Sequence, residues 1–384
     1  MGLSRSSTRS SGIPAHEYGT RVNAARDWLR ASGYGGLLAV SGYAERDGNV
    51  CYLCGHKNAF PYSTRSEFVS GLGYSALLLP TDGQITLIAP LGYQPNAVIG
   101  VDKYRTGTNL ARDLVEAMKE TNLGGSKLAV AGGDIIPVVY VDELRQGFPG
   151  LTIEYRDEVA KMRMIKTENE LRLIRQASAI ADEAMAIAID SIKPGMRESA
   201  IGTVARKAAM EEGADYVVRD RVHSGGEMGH LRWPFASSKK IRKGELVSID
   251  FVGWVKSYGF DILRIGCAGR PSKDQRRLIE IAGDATEAMS EKLTDQGEVG
   301  DSLSALKGFE KGGFHIQPFG HGIGLEIVEE PYLFPGVTGK VRKNMVFCVE
   351  PDVKLKDAWA SIENELIVTN GKPEILTKLP VFSG

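Results

Sequence analysis

Four acidic side chains sit where acids are costly. Asp250 ends the run LVSID, Asp261 begins DILRIG, Glu350 ends MVFCVE, and Glu363 lies in SIENELIVT. Each run is rich in apolar and β-branched residues, the composition of a buried strand. A carboxylate placed there must be paired or must ligate a cation. The chemistry open to such a set is the binding of divalent cations.

Spacing adds to the case. In an antiparallel hairpin, opposed residues point to one face. If Asp250 opposes Asp261, the turn centre falls between Val255 and Lys256, amid Gly253, Ser257 and Gly259. If Glu350 opposes Glu363, it falls between Lys356 and Asp357, in KLKDAW. Such residues suit turns. The sequence therefore predicts two hairpins, each carrying two carboxylates on one face. Like charges 4 Å apart repel by ~4 kcal/mol at an effective dielectric of about 20. Two divalent ions would neutralise the four acids. The competing reading is a set of solvated acids on an open sheet face, but such faces usually mix signs. His321, in PFGHGIGLE, adds an imidazole between Gly320 and Gly322, where the backbone can approach closely.

The elements that must hold these residues are readable in outline. Residues 17–32 have helical spacing, ended by Gly33 and Gly35. GLLAVSG, NVCYLC, YSALLLP, ITLIAP and KLAVAG read as strands, with a helix at 109–121. This is an α/β pattern up to about residue 155. GLGYSA lacks the third glycine of a dinucleotide site. Thr167 and Glu170 form a capping-box signal for a helix running to Ile192, closed by Lys193-Pro194-Gly195. A helix near 198–212, strands from 215 onward and a helix near 272–293 make the second half α+β.

Composition narrows the classes. With 384 residues, 42% hydrophobic and 25% charged, the chain has room for two ordinary globular domains. A net charge of −1 argues against nucleic-acid binding. No apolar stretch is long enough for a membrane span. The opening MGLSRSSTRSSG reads as a tail without a secretory h-region. Cys51 and Cys54 form a CxxC near His56, but no second ligand pair exists for zinc, so they read as small apolar residues. Free thiols fit a cytoplasmic setting.

Taken together, the SIDF and YGFDILR aspartates, the GHGIGLE histidine, and the VFCVEP and SIENELIVT glutamates resemble the pita-bread metallopeptidases, family M24. That family includes methionine aminopeptidase, aminopeptidase P, prolidase and creatinase. KMRMIKTENELRLIRQA is similar to the family's entry helix, IKPGM to the link after it, and NVCYLCG to the Asn-x-x-Tyr-Leu-x-Gly strand of the prolidase and creatinase N-domain. The resemblance implies a tail over 1–15, a creatinase-like α/β domain over 16–158 and a catalytic α+β pita-bread domain over 159–384. It implies that Asp250 binds one metal, that His321 and Glu350 bind the other, and that Asp261 and Glu363 bridge both. A bridging water would be the nucleophile. Oxygen-rich ligation with one imidazole suits Mn²⁺, Fe²⁺, Co²⁺ or Zn²⁺. The implied substrate is a dipeptide or other small C–N bonded molecule, and the implied assembly is a homodimer.

The proton-handling residues depart from the family. Gln317, Val328 and Trp233 stand where it usually has histidines. Candidate replacements are His223 and His230, which flank HSGGEMGH, and Glu329, with His315 less favoured. Tyr258 matches a family aromatic. Two other readings remain open. One is a lyase resembling the dimethylsulfoniopropionate lyases, with Trp233, Trp254 and Tyr332 caging a cation. Val252, standing where those enzymes have an acid, counts against it. The other is a non-catalytic binding protein on the same fold.

Overall fold

The computed structural model describes residues 12–382 except 44, 59, 67, 92–98, 230–234 and 310–312. The chain divides into two compact units between Arg163 and Met164.

The first unit contains α1 (Ala15–Ser32), β1 (Gly36–Ser41), α2 (Gly48–Cys54), β2 (Ser75–Pro80), β3 (Thr86–Ile88), β4 (Lys103–Arg105), α3 (Leu110–Lys119), β5 (Lys127–Ala131), α4 (Val138–Gly147) and β6 (Thr152–Tyr155). Its strands form one sheet in the order β4-β3-β2-β1-β5-β6. Buried residues of β1, β2 and β5 pack against Leu110, Leu114 and Leu144 of the helices. One expectation fails here: NVCYLC is the helix α2, not a strand. The run is buried on every side, so it carries no period to separate helix from strand. Cys51 and Cys54 are free, and burial pushes their thiols up to about 11 and about 12. They are inert packing residues.

At the division lies α5 (Glu158–Met164). The second unit opens with α6 (Glu168–Asp190), capped by the expected Thr167–Glu170 box, then α7 (Glu198–Glu211). Next come β7 (Tyr216–Ser224), β8 (Leu246–Val255), β9 (Tyr258–Cys267), α8 (Lys273–Ser290), α9 (Val299–Ser304), β10 (Phe314–Gln317) and β11 (Gly320–Gly322). It closes with β12 (Val346–Val349), β13 (Asp352–Leu355), β14 (Ala358–Ser361), β15 (Asn364–Ile367) and β16 (Glu374–Ile375). The sheets run β7-β8-β9, β10-β13-β14 and β11-β12-β15-β16.

Strand alternation separates core from site. Val247, Ile249 and Phe251 of β8 and Phe260 and Ile262 of β9 pack on the alanine stripe of α6, Ala177 to Ala188. Phe347 and Val349 of β12 pack with Leu278, Ala282 and Ala285 of α8. Side chains at the intervening positions point away from those helices. These include Asp250, Asp261, Cys348 and Glu350. Among the described residues, no helix is long and apolar enough to cross a membrane.

Candidate metal centre

The β8–β9 hairpin differs from expectation by one step. Val252 opposes Asp261, and Asp250 opposes Leu263. The turn is Lys256-Ser257, with φ of 50° and 77°. Both values are positive, as a two-residue hairpin turn of the right twist requires. Neither residue is the glycine or asparagine that usually signals such a turn, so the sequence placed the centre too early. The aspartates are diagonal neighbours rather than opposed ones. They keep a common face because the offset is two residues.

The second hairpin has the expected register. Leu355 opposes Ala358 across Lys356 and Asp357, and Val349 opposes Asn364 further along. Glu350 and Glu363 fall in the gap between those ladders, where each backbone takes a new partner. Glu350 N–H donates to Phe319 O at 3.1 Å, and Glu363 N–H donates to Leu263 O at 3.1 Å. The first bond ties Glu350 to the approach to β11, and the second ties Glu363 to β9. The switch of partners draws both glutamates toward His321 and Asp261.

His321 reaches the same place from β11, opposite Cys348. A Cβ on Gly320 would meet Cys348 O at 2.5 Å, and one on Gly322 would meet Glu330 O at 2.5 Å. Only glycine permits those approaches. His321 Nδ1 donates to Gly322 O at 3.0 Å. That bond turns Nε2 toward the acids: 3.4 Å from Glu350 Oε1, 3.9 Å from Asp261 Oδ2 and 4.0 Å from Glu363 Oε1. Fixing one ring nitrogen to orient the other is how protein imidazoles are readied for metals. Among the described residues, ligand atoms of His321, Cys348 and Glu363 lie within 4.8 Å of one another.

The electrostatics fit a cation site. Burial, followed by the neighbouring carboxylates, holds Asp261 and Glu363 well above the usual carboxylate range. Burial also raises Asp250, against the pull of Arg221 and Arg219. Burial alone would lower His321, but Glu350 and Asp261 raise it to about 9. Asp250 Oδ1 and Glu363 Oε1 are buried with no hydrogen-bond partner. Orphaned buried carboxylate oxygens are the donors a divalent ion needs.

Two supporting residues escaped the sequence reading. Glu365, fully buried, accepts Asp261 N–H at 2.6 Å and the Ser178 hydroxyl, and burial raises it to about 7. Its alternation with Glu363 was the available signal. Arg264 donates to Leu263 O at 3.0 Å, to Glu363 O, and to Asn364 Oδ1 at 3.0 Å. It clamps the backbone at Glu363, and an arginine inside DILRIG was its signal.

Asp250, Asp261, His321 and Glu350 line a cleft of about 390 Å³, together with Arg219, Arg221 and His223 of β7 and with Gln317, Phe319, Val328, Phe334 and Trp359. That volume suits a small ligand. His230 and Trp233 lie outside the described residues. His315 is exposed on β10 and is not part of the lining. Glu329 is also not part of the lining: its carboxylate lies 3.7 Å from Lys166 Nζ and accepts Glu326 N–H at 2.9 Å. Both side chains of that pair are almost sealed from solvent. Lys166→Met would strand a buried carboxylate and is expected to cost roughly 3–5 kcal/mol, read as a lower denaturation midpoint. An unchanged midpoint would contradict the pairing. Tyr258 donates to Glu170 Oε1 at 3.0 Å and so supports the α6 cap rather than the cleft. Trp254 is buried, stacks on Tyr216 and donates to Leu325 O, so it takes no part in a cage.

Residues 172–370, which carry all five ligand candidates, match the sequence model of metallopeptidase family M24. The chain belongs to that family. An "Xaa-Pro dipeptidase" from Pyrococcus furiosus is 30% identical over 227 residues, which are 58% of this chain and 65% of that relative. "Probable dipeptidase PepE" from Mycobacterium tuberculosis is 26% identical over 389 residues, covering 96% of this chain and 98% of its own. The solved prolidase from Pyrococcus horikoshii OT3 matches in fold with a TM-score of 0.78 at 23% identity, covering 94% and 99% of the two chains. The fold of this M24 member is α+β, a pita-bread unit preceded by a smaller α/β unit. The family is one of divalent-metal-dependent proteins, and the donor set described above fits such ions.

Proposed function

We propose that this protein is a dinuclear metal-dependent hydrolase of a small C–N bonded substrate, most simply a dipeptide of the Xaa-Pro type. One observation carries the reading: Asp250, Asp261, Glu350 and His321 line one cleft, Glu363 Oε1 lies 4.0 Å from His321 Nε2, and two of these carboxylates keep a buried oxygen without a hydrogen-bond partner. Asp250, Asp261, His321, Glu350 and Glu363 would hold the ions, Mn²⁺, Co²⁺, Zn²⁺ or Fe²⁺. Bound there, such ions acidify a water and polarise the scissile carbonyl. The relatives named for dipeptidase activity support the substrate size.

The chain's own residues would do the rest. Phe319, Phe334 and Trp359 offer apolar walls that exclude water and seat a ring or aliphatic group. His223, opposite Ser248 on β8, is the described histidine that lines the cleft besides the ligand His321. It is the residue we assign to proton transfer on the leaving amine. Glu329, locked to Lys166, is left to structure, and His230 stays a second candidate from sequence. His223→Ala is expected to lower kcat by roughly 10²–10⁴ while metal content stays constant. An unchanged kcat would return His223 to the cleft wall. The activity itself is tested by release of free amine and carboxylate from Xaa-Pro dipeptides. Turnover that yields an alkene instead would favour the lyase reading. Resemblance to the family supports a homodimer, which light scattering tests, and the free thiols support a cytoplasmic setting.

A further inference from the structure

Strand β7 carries a basic strip outside the ligand set. Arg219, Arg221 and His223 stand at alternate positions, and all three line the cleft. The residues between them face the other way. Asp220 pairs with Arg206 of α7 at 3.0 Å, and Val222 belongs to the core formed with α6 and α7. The strand's own acid is thus spent on the opposite face. Arg221 Nη1 lies 2.9 Å from Asp250 Oδ2, across the β7–β8 ladder. Its Nε is buried and has no hydrogen-bond partner. A buried guanidinium N–H without an acceptor is costly. Apart from the ligand candidates, the acid in the lining is Asp352, whose carboxylate accepts the Trp359 indole N–H at 2.9 Å. With ions on the ligands, the cleft faces its substrate with two permanent positive charges on one strand.

One guanidinium suffices for the single carboxylate of an ordinary dipeptide, which it can grip with two parallel hydrogen bonds. A second, held beside it in a part-buried cleft, needs an anion of its own. Alternate strand residues lie about 7 Å apart, and arginine side chains are long enough to converge from there on two carboxylates of one amino acid. We propose that Arg219 and Arg221 bind the leaving half of the substrate, and that this half is a dicarboxylate: an aspartyl or glutamyl residue with a free C-terminus. The proposal rests on the hydrolase reading above and shifts its preferred dipeptides from those ending in proline to those ending in an acid. His223 is the next lining residue along the strip, as the proton donor to the leaving nitrogen of that half must be.

The test compares hydrolysis of Ala-Glu, Ala-Gln and Ala-Pro by the manganese-loaded full chain with calorimetric binding of glutamate, glutamine and proline to it. Ala-Glu is expected to exceed both other dipeptides in kcat/KM by about tenfold or more, the worth of one charge-assisted contact. Glutamate is expected to bind tighter than glutamine or proline by a similar factor. Arg219→Met is expected to erase both differences, mainly through KM, and Arg219→Lys, which keeps the charge, to restore part of them. If Arg219→Met misfolds, Arg221→Met is read in the same way. Glutamate bound no tighter than glutamine, or a glutamate preference that survives loss of either arginine, would overturn the proposal and leave the hydrolase reading standing. Glutamate bound tightly through these arginines by a chain that cleaves none of the three dipeptides would uphold the dicarboxylate site and count against the hydrolase reading.

Discussion

Glu363→Gln is expected to give a folded protein that no longer holds its full metal complement and has lost more than about 100-fold in kcat/KM. The side chain is fully buried, and its Oε1 has no hydrogen-bond partner. Burial and the nearby acids hold its carboxyl well above the usual range when no cation is present. An amide of the same shape removes the charge that draws an ion and presents N–H groups to it instead. Residues that only support a ligand cost about 10–100-fold in metal affinity or activity, so a bridging ligand should cost more. The metal-free variant should melt no lower than the metal-free wild type, because one member of a repelling set has been neutralised. Retained metal loading, measured by elemental analysis, would refute the bridging role.

Chelation should abolish activity, and Mn²⁺ or Co²⁺ should restore it, with a recovery that depends steeply on pH. In the metal-free protein His321 is raised to about 9, despite the opposing effect of burial, by Glu350 and Asp261. It therefore carries a proton through the neutral range, and burial with the neighbouring acids makes Asp261 and Glu363 hold their protons more tightly than ordinary carboxylates. An ion can bind only by expelling those protons. The sign follows. Below about pH 9 affinity falls as acid is added, by about tenfold per pH unit for each proton released. Above that value the His321 contribution levels off. Titrations across pH 6–9 check this. An affinity independent of pH would mean that the ion does not use the imidazole.

Much of this centre was readable because its chemistry conflicts with its surroundings. Asp250, Asp261, Glu350 and Glu363 announce themselves as acids in strands that should be apolar, and His321 by its glycines. The Thr167–Glu170 cap and the Lys356-Asp357 turn are local, so local residues specify them. What stayed hidden depends on distant partners. Lys256 and Ser257 accept positive φ because the flanking strands demand it, which moved the first hairpin by one step. The pairing of Arg221 with Asp250 follows from the β7–β8 register, which is interrupted by a bulge near Val217 and Arg219. Glu329 read as a candidate for proton transfer but is held by Lys166, far away in sequence. NVCYLC is short and buried throughout, so its helix has no periodic signature.

The central claim is that a cluster of buried acids and one imidazole is a cation site. Crystals grown with Mn²⁺ and measured at the manganese absorption edge address it most directly. The expected anomalous map has one peak between His321, Glu350, Asp261 and Glu363, and a second beside Asp250. A map with no peak there, or with its peaks elsewhere on the chain, would contradict the account.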